Sequence, residues 1–322
     1  MDRLYEDLER ILENRRIRSE VIQQEKAQYL MQRFPQLQKI ENEIAETTAQ
    51  SLLLSLNGEM DPELLPKLKK LEIQRLHVLE GCGLSETDLQ PTPTCPQCND
   101  TGYISKKGQN GQLKKDFCDC TRALLAPVMV ARSGVEKYAN YSFEKGSPEF
   151  YADMPSLKDK YEKIAKLASS CRVPNMVFYG ASGRGKTFLA VSIAREYAMR
   201  GRASLVIRQA DCVELMQEHR RIIGSYYTPS QKEQEIEARK AYLIEADLLV
   251  LDDLGVEPKS PNTQSDLIYI LDERMLAGKT TIITTNYDMD SLRERYGGRI
   301  FERIDHDFRR FCFSSSNKKE KE

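Results

Sequence analysis

The chain has 322 residues, of which 40% are apolar and 30% charged, with a formal net charge of −1. That composition suits a soluble globular protein of about two domains, and the near-zero charge means that any nucleic-acid surface must come from a local patch. No apolar run approaches the ~18 residues of a membrane span, and the start, "MDRLYEDLERILENRR", lacks a signal peptide's apolar core, so a cytoplasmic protein without membrane contact is expected.

Five segments are expected in chain order. Residues 1–81 are helical: Leu4, Leu8, Ile11 and Leu12 recur at helical spacing, and Ile17, Val21 and Ile22 continue the series. A second helix is expected through Ile40 and Ile44. A third, "PELLPKLKKLEIQRLHVLEG", sets Leu64, Leu68, Leu71 and Leu79 near one stripe, with Gly81 or Gly83 as its stop. Such a bundle serves either ordinary core packing or partner docking. Residues 82–125 carry cysteines among Gly, Pro and Asn. Residues 126–155 are expected to be a connector. From 156 to 313 strands alternate with helices, the pattern of a parallel sheet covered on both faces. The tail 314–322, "SSSNKKEKE", has no apolar residue and is expected to be disordered.

The stretch "FYGASGRGKTFLA" is the most informative one. An apolar run, "NMVFYG", ends in glycine, and "FLAVSIAREYAM" reads as a helix. Gly180, Ala181, Ser182, Gly183, Arg184, Gly185, Lys186 and Thr187 between them satisfy G-x-x-x-x-G-K-[ST] in a strand–loop–helix context. Backbone N–H groups of such a loop curl around a β-phosphate, with the positive end of the helix behind it. Lys186 is placed to reach the β- and γ-phosphates of ATP, and the Thr187 hydroxyl to ligate Mg²⁺.

A metal-binding acid is expected downstream, at the carboxyl end of a neighbouring strand. "DLLVLDDLGVE" supplies it: Leu248 to Leu251 form the strand, Asp252 is the Mg²⁺ acid, and Asp253 or Glu257 is the base. "TTIITTN" then ends in Asn286, a sensor of the γ-phosphate or a simple strand-end turn. In "YGGRIFERI", Arg299 and Arg303 lie one helical turn apart and share a face. They are either solvated or offered to a neighbouring subunit's nucleotide.

The order of phosphate loop, "LLVLDDLG", "TTN" and "GGRIFERI" resembles the AAA+ ATPases of the bacterial helicase-loader family, the DnaC/DnaI type, and the related transposition ATPase IstB. The resemblance covers about residues 140–313. "DDLGVE" and the cysteine segment look closest to the DnaI-like branch. The resemblance implies an AAA+ P-loop domain without a C-terminal lid, Asn286 as sensor, Arg303 as arginine finger and Arg299 beside it. Asp253 departs from the glutamate that many such ATPases carry.

Cys95 and Cys98 in "CPQCNDTGYI", and Cys118 and Cys120 in "DFCDC", form two tight pairs separated by nineteen residues. Thiolates so spaced in a reducing compartment suit structural Zn²⁺, with Cys82 as a substitute ligand; free thiols or a redox pair are the other readings. Cys171, Cys212 and Cys312 are expected in the core. "QEHRRIIGSYYTPSQKEQEIEARKAY" mixes Arg220, Arg221, Lys232, Arg239 and Lys240 with Tyr226 and Tyr227, which suits a single-stranded nucleic-acid path or a solvated helix pair.

The expected function is an ATPase, weak alone, that loads a replicative DNA helicase onto single-stranded DNA, with self-association through the ATPase domain. A transposition helper and a non-hydrolysing ATP-gated adaptor are the competing readings.

Overall fold

A computed structural model of the chain describes residues 2–57, 61–107, 112–222 and 230–314. The contacts divide the chain into two compact units, Asp2–Cys118 and Asp119–Glu322, with Met1 grouped with the latter.

The first unit begins with three helices, α1 (Asp2–Arg33), α2 (Pro35–Leu56) and α3 (Leu64–Gly81). Proline at the first position of α2 gives up an N–H that has no helical partner there. Beyond α3 the Gly83 N–H donates to Glu80 O and the Leu84 N–H to Leu79 O, a Schellman closure, so the stop is Gly83 rather than Gly81. Ala27, Leu30, Leu37, Ile40, Leu71, Leu79 and Leu89 form the shared core. In α1, Leu8 and Leu12 are buried, but Ile11, Ile17, Val21 and Ile22 remain exposed, so the continuous apolar series does not become a continuous buried stripe. A hairpin of β1 (Tyr103–Lys107) and β2 (Leu113–Phe117) completes the unit, with Tyr103 opposite Phe117. Their rings stack with centroids 5.3 Å apart.

The second unit is built on five parallel strands in the order β4-β5-β6-β3-β7. The strands are β3 (Met176–Tyr179), β4 (Ser204–Arg208), β5 (Leu248–Leu254), β6 (Thr280–Thr285) and β7 (Arg309–Cys312). Its helices are α4 (Asp119–Ser133), α5 (Pro155–Ser169), α6 (Lys186–Met199), α7 (Gln209–Ile222), α8 (Gln231–Glu245), α9 (Pro261–Leu276) and α10 (Met289–Asp307). One apolar cluster gathers α5 and α6 residues such as Ile164, Leu189 and Ile193 against Phe178, Val250 and Ile282. The other gathers Cys212, Leu267, Leu271, Leu292 and Ile300 against Val177, Leu249, Leu251 and Ile283. Alternate residues of one strand thus enter opposite cores, which is why these strands read as continuous apolar runs.

Three local expectations differ from the structure. Much of the expected connector 126–155 is packed: Met129 of α4 is buried, and Val135, Tyr151 and Met154 join the core of the second unit. The acidic strand runs on past Leu251 to Leu254. Of the three core cysteines only Cys212 is fully buried; Cys171, in a left-handed turn (φ 52°), and Cys312 are partly covered.

Candidate nucleotide-binding site

The site lies at the carboxyl edge of the parallel sheet, where β3, β5 and β6 end side by side. Gly180 to Gly185 connect β3 to α6, and Gly185 caps the helix with φ 86° and ψ 14°. The Lys186 ammonium is buried and donates to Gly180 O at 2.8 Å and Ala181 O at 2.7 Å. Burial pushes its pKa down, against the opposing pull of Asp253 and Asp252.

The Thr187 hydroxyl donates to Asp252 Oδ1 at 2.9 Å, and the Thr284 hydroxyl donates to the same oxygen at 2.6 Å. Burial raises the Asp252 pKa, partly offset by those two donors. Asp253 follows in a left-handed conformation, φ 56°, and its N–H donates to Thr284 Oγ1 at 2.9 Å. Between Leu251 and Leu254 the β5–β6 register shifts, so the two aspartates fall in a bulge. Bulges re-aim side chains beside sites of this kind. The Thr285 hydroxyl closes the bulge by donating to Leu254 O at 2.7 Å.

Glu257 is 2% exposed, and both carboxylate oxygens are engaged. Oε2 accepts from the Gly255 N–H at 2.8 Å, and Oε1 accepts from the Tyr296 hydroxyl. A carboxylate so held is poorly placed to take a proton from water, which leaves Asp253 as the better candidate base. Asn286 is exposed, one residue beyond β6.

Arg299 and Arg303 lie in the second half of α10, after a break at Gly297. Because α10 leads from the carboxyl end of β6 to the amino end of β7, it carries both arginines away from the chain's own phosphate loop. Arg299 is exposed and unpaired among the described residues. Arg303 Nη2 lies 3.0 Å from Asp272 Oδ1 and keeps 42% of its side chain exposed.

Three features escaped the sequence reading. Thr284 is the hub of the acidic edge, but one threonine in "TTIITTN" carries no special pattern. Tyr151 packs on the loop: its hydroxyl donates to Gly185 O at 3.2 Å, and a Cβ on Gly185 would stand 3.1 Å from its ring. A cleft of about 270 Å³ opens there between Phe150, Tyr151 and Met154 on one wall and Gly183, Gly185 and Phe188 on the other. Finally, Arg184 pairs with Asp153, linking the loop to the same segment.

The Sγ atoms of Cys95, Cys98, Cys118 and Cys120 all lie within 4.8 Å of one another, and those of Cys95 and Cys118 are 3.7 Å apart. Tetrahedral Zn²⁺ with bonds of about 2.3 Å needs sulfurs about 3.8 Å apart, so the donor set fits that ion. The buried Asp100 carboxylate accepts from the Thr94 N–H at 2.7 Å and the Cys95 N–H at 2.9 Å, shaping the first knuckle. Cys82 is outside the group and accepts from Gln36 Nε2 at 3.1 Å.

In the basic segment, Arg220 is taken up by Asp266 through contacts of 2.5 and 2.6 Å, and Lys240 lies over the Tyr269 ring. Arg221, Lys232 and Arg239 are exposed. Tyr226 and Tyr227 lie outside the described residues, as do residues 315–322 of the expected disordered tail.

A parallel sheet with a phosphate loop, a hydroxyl and an acid converging at its carboxyl edge defines a P-loop nucleotide-binding protein. The family model of IstB-like ATP binding proteins matches residues 142–303, and the chain belongs to that family. It is 28% identical over 174 residues to the replicative helicase loader DnaC of Escherichia coli K12, an alignment covering 54% of this chain and 66% of the relative. The chain thus spans just under two thirds of that relative's length. Among solved structures it is similar to the DnaC helicase loader, with TM-score 0.45 and 21% identity over 55% of this chain and 99% of the other. It is also similar to DnaI, with TM-score 0.37 and 26% identity over 48% and 84%. No helix among the described residues is long and apolar enough to cross a membrane.

Proposed function

We propose that this chain is an ATP-dependent loader that engages a replicative DNA helicase and delivers it to single-stranded DNA, with ATP as the switch of assembly. The observation that carries the ATP-dependent part is the convergence of Lys186, Thr187, Asp252 and Thr284 at one sheet edge. The likeness to the loader DnaC supports the choice of partner.

In this reading Lys186 leaves its loop carbonyls for the β- and γ-phosphate oxygens. Thr187 and Asp252 are the residues that would hold Mg²⁺, which neutralises charge on those phosphates. Asp253 accepts the proton of the attacking water as its oxygen bonds to the γ-phosphorus and ADP departs. Asn286 orients that water. Arg303, with Arg299 beside it, completes the pocket of a neighbouring copy, so hydrolysis follows self-association. Residues 1–81 dock the helicase, and residues 82–125 form a structural zinc segment. The exposed Arg221, Lys232 and Arg239 contribute to the single-stranded DNA path.

The test is a loading assay with a purified replicative helicase on circular single-stranded DNA. Helicase retention on the circle should require both this chain and ATP. Equal retention without either one rejects the loader reading. The match to the IstB-like ATP binding family is also compatible with one alternative, a helper that assembles on DNA for a transposase. Filaments on duplex DNA with no affinity for a helicase would select it. Tight ATP binding without turnover, alone or with DNA, would select the non-hydrolysing adaptor.

A further inference from the structure

The buried Glu257 carboxylate joins two parts of the second unit that have no sequence proximity. One is the turn that leaves the acidic edge. After Asp253 the chain passes through Gly255 at φ 111°, where a Cβ would stand 2.2 Å from the Tyr287 ring. Only glycine fits, and its N–H points at Glu257 Oε2 at 2.8 Å. The other is the end of the first half of α10. Tyr296 is 6% exposed and donates its hydroxyl to Glu257 Oε1. Burial first, and then the hydrogen bond to Glu257, raise the pKa of this phenol, so it remains a donor over the working pH range. Arg295 closes the same knot by donating to Glu257 O and lying 5.6 Å from the Tyr287 ring centroid.

The residue after Tyr296 is Gly297, with φ 73° and ψ −178°. That conformation is open to glycine alone and separates the two halves of α10. The arginine-bearing half therefore starts at a joint whose near side is held by Glu257. A change in the Asp253–Gly255 turn has a direct path to that joint through one side chain.

We infer that Glu257 is a positioning residue that couples the chain's own nucleotide edge to the segment bearing Arg299 and Arg303, through Gly255 on one oxygen and Tyr296 on the other. The inference rests on the ATPase reading above and adds a route by which ATP in one pocket sets the presentation of arginines to the next. Glu257 touches no substrate in this role. Glutamine can keep both links, accepting from Gly255 through its oxygen and donating to the Tyr296 hydroxyl through its amide.

The test is hydrogen exchange across residues 297–304 in the full chain, at concentrations where it is monomeric, with and without saturating ATP and Mg²⁺. Wild type should show an ATP-dependent change in exchange there. Tyr296→Phe keeps the ring but removes the hydroxyl; it should bind ATP with unchanged affinity and lose that change. Glu257→Gln should retain it. A Tyr296→Phe chain that still transmits the ATP effect overturns the coupling, as does a saturated wild type with no change at 297–304. Failure of wild type to bind ATP would instead remove the ATPase reading, and the coupling with it.

Discussion

Thr284 and Asp252 share a 2.6 Å hydrogen bond in which the threonine hydroxyl is the donor, while the same hydroxyl accepts the Asp253 N–H at 2.9 Å. One side chain on β6 thereby sets the carboxylate of one aspartate and the backbone of the next. Thr284→Val keeps the shape and removes both bonds. Without them the Asp252 carboxylate and the Asp253 backbone lose their alignment, and each 1.36 kcal/mol of transition-state stabilisation lost is about tenfold in rate. The variant should lose between about tenfold and a hundredfold in turnover while still binding ATP, as followed by steady-state hydrolysis and nucleotide titration. Wild-type turnover would show that Asp253 needs no such support.

Lys186→Ala removes the ammonium that the loop now holds by two carbonyls. ATP affinity should fall by at least about tenfold, which corresponds to about 1.4 kcal/mol. The circular dichroism spectrum should not change. An unaltered dissociation constant would move the nucleotide elsewhere.

Asp252→Asn separates stability from function. Burial raises the Asp252 pKa, so its ionised form is disfavoured in the folded chain relative to the unfolded one. Folding stability therefore falls as pH rises from the unfolded pKa through the folded one, and asparagine escapes that penalty. The variant should be the more stable near neutral pH, with the advantage shrinking in acid as wild-type Asp252 takes up its proton. Turnover should be abolished. Thermal melts of both chains across that pH range decide the point, and a destabilised variant at neutral pH would contradict it.

The cysteine group should bring about one zinc ion per chain. Cys95→Ser should lose the metal and expose the first unit to proteolysis, because metal binding there is folding energy. ATP binding should persist. Metal analysis of chelator-treated and untreated protein, with limited proteolysis of each, gives the result; metal-free protein with the same protease resistance would remove zinc from the account.

Arg303→Ala should leave ATP affinity of the isolated chain unchanged and lower turnover in the assembled state by about 10³-fold or more, the scale of arginine fingers. Its ion-pair contact with Asp272 predicts only a small stability change, since 42% of the side chain is exposed. Mixing this chain with Lys186→Ala should restore part of the activity, as one supplies the pocket and the other the arginine. Arg299→Ala tests the companion. Mixtures that stay inactive would argue against a shared site.

What the sequence determined by itself is the set of features that use contiguous residues. The strand–loop–helix around Gly180–Thr187 is legible because a phosphate cradle needs neighbouring backbone N–H groups. The parallel sheet is legible because strands buried on two faces, such as Leu248–Leu251, leave no polar alternation. The two cysteine pairs announce themselves by close spacing. Tertiary structure alone decided which distant groups meet. Thr284 joins Asp252 across 32 positions, Tyr151 reaches Gly185 across 34, and Glu257 receives Tyr296 across 39. Tertiary structure also placed Cys82 outside the sulfur group and built α4 into the second unit, where sequence pattern suggested a spare ligand and a connector. A hydrogen bond or packing contact between remote segments depends on strand register and helix placement, and neither is written in the spacing of the residues that finally touch.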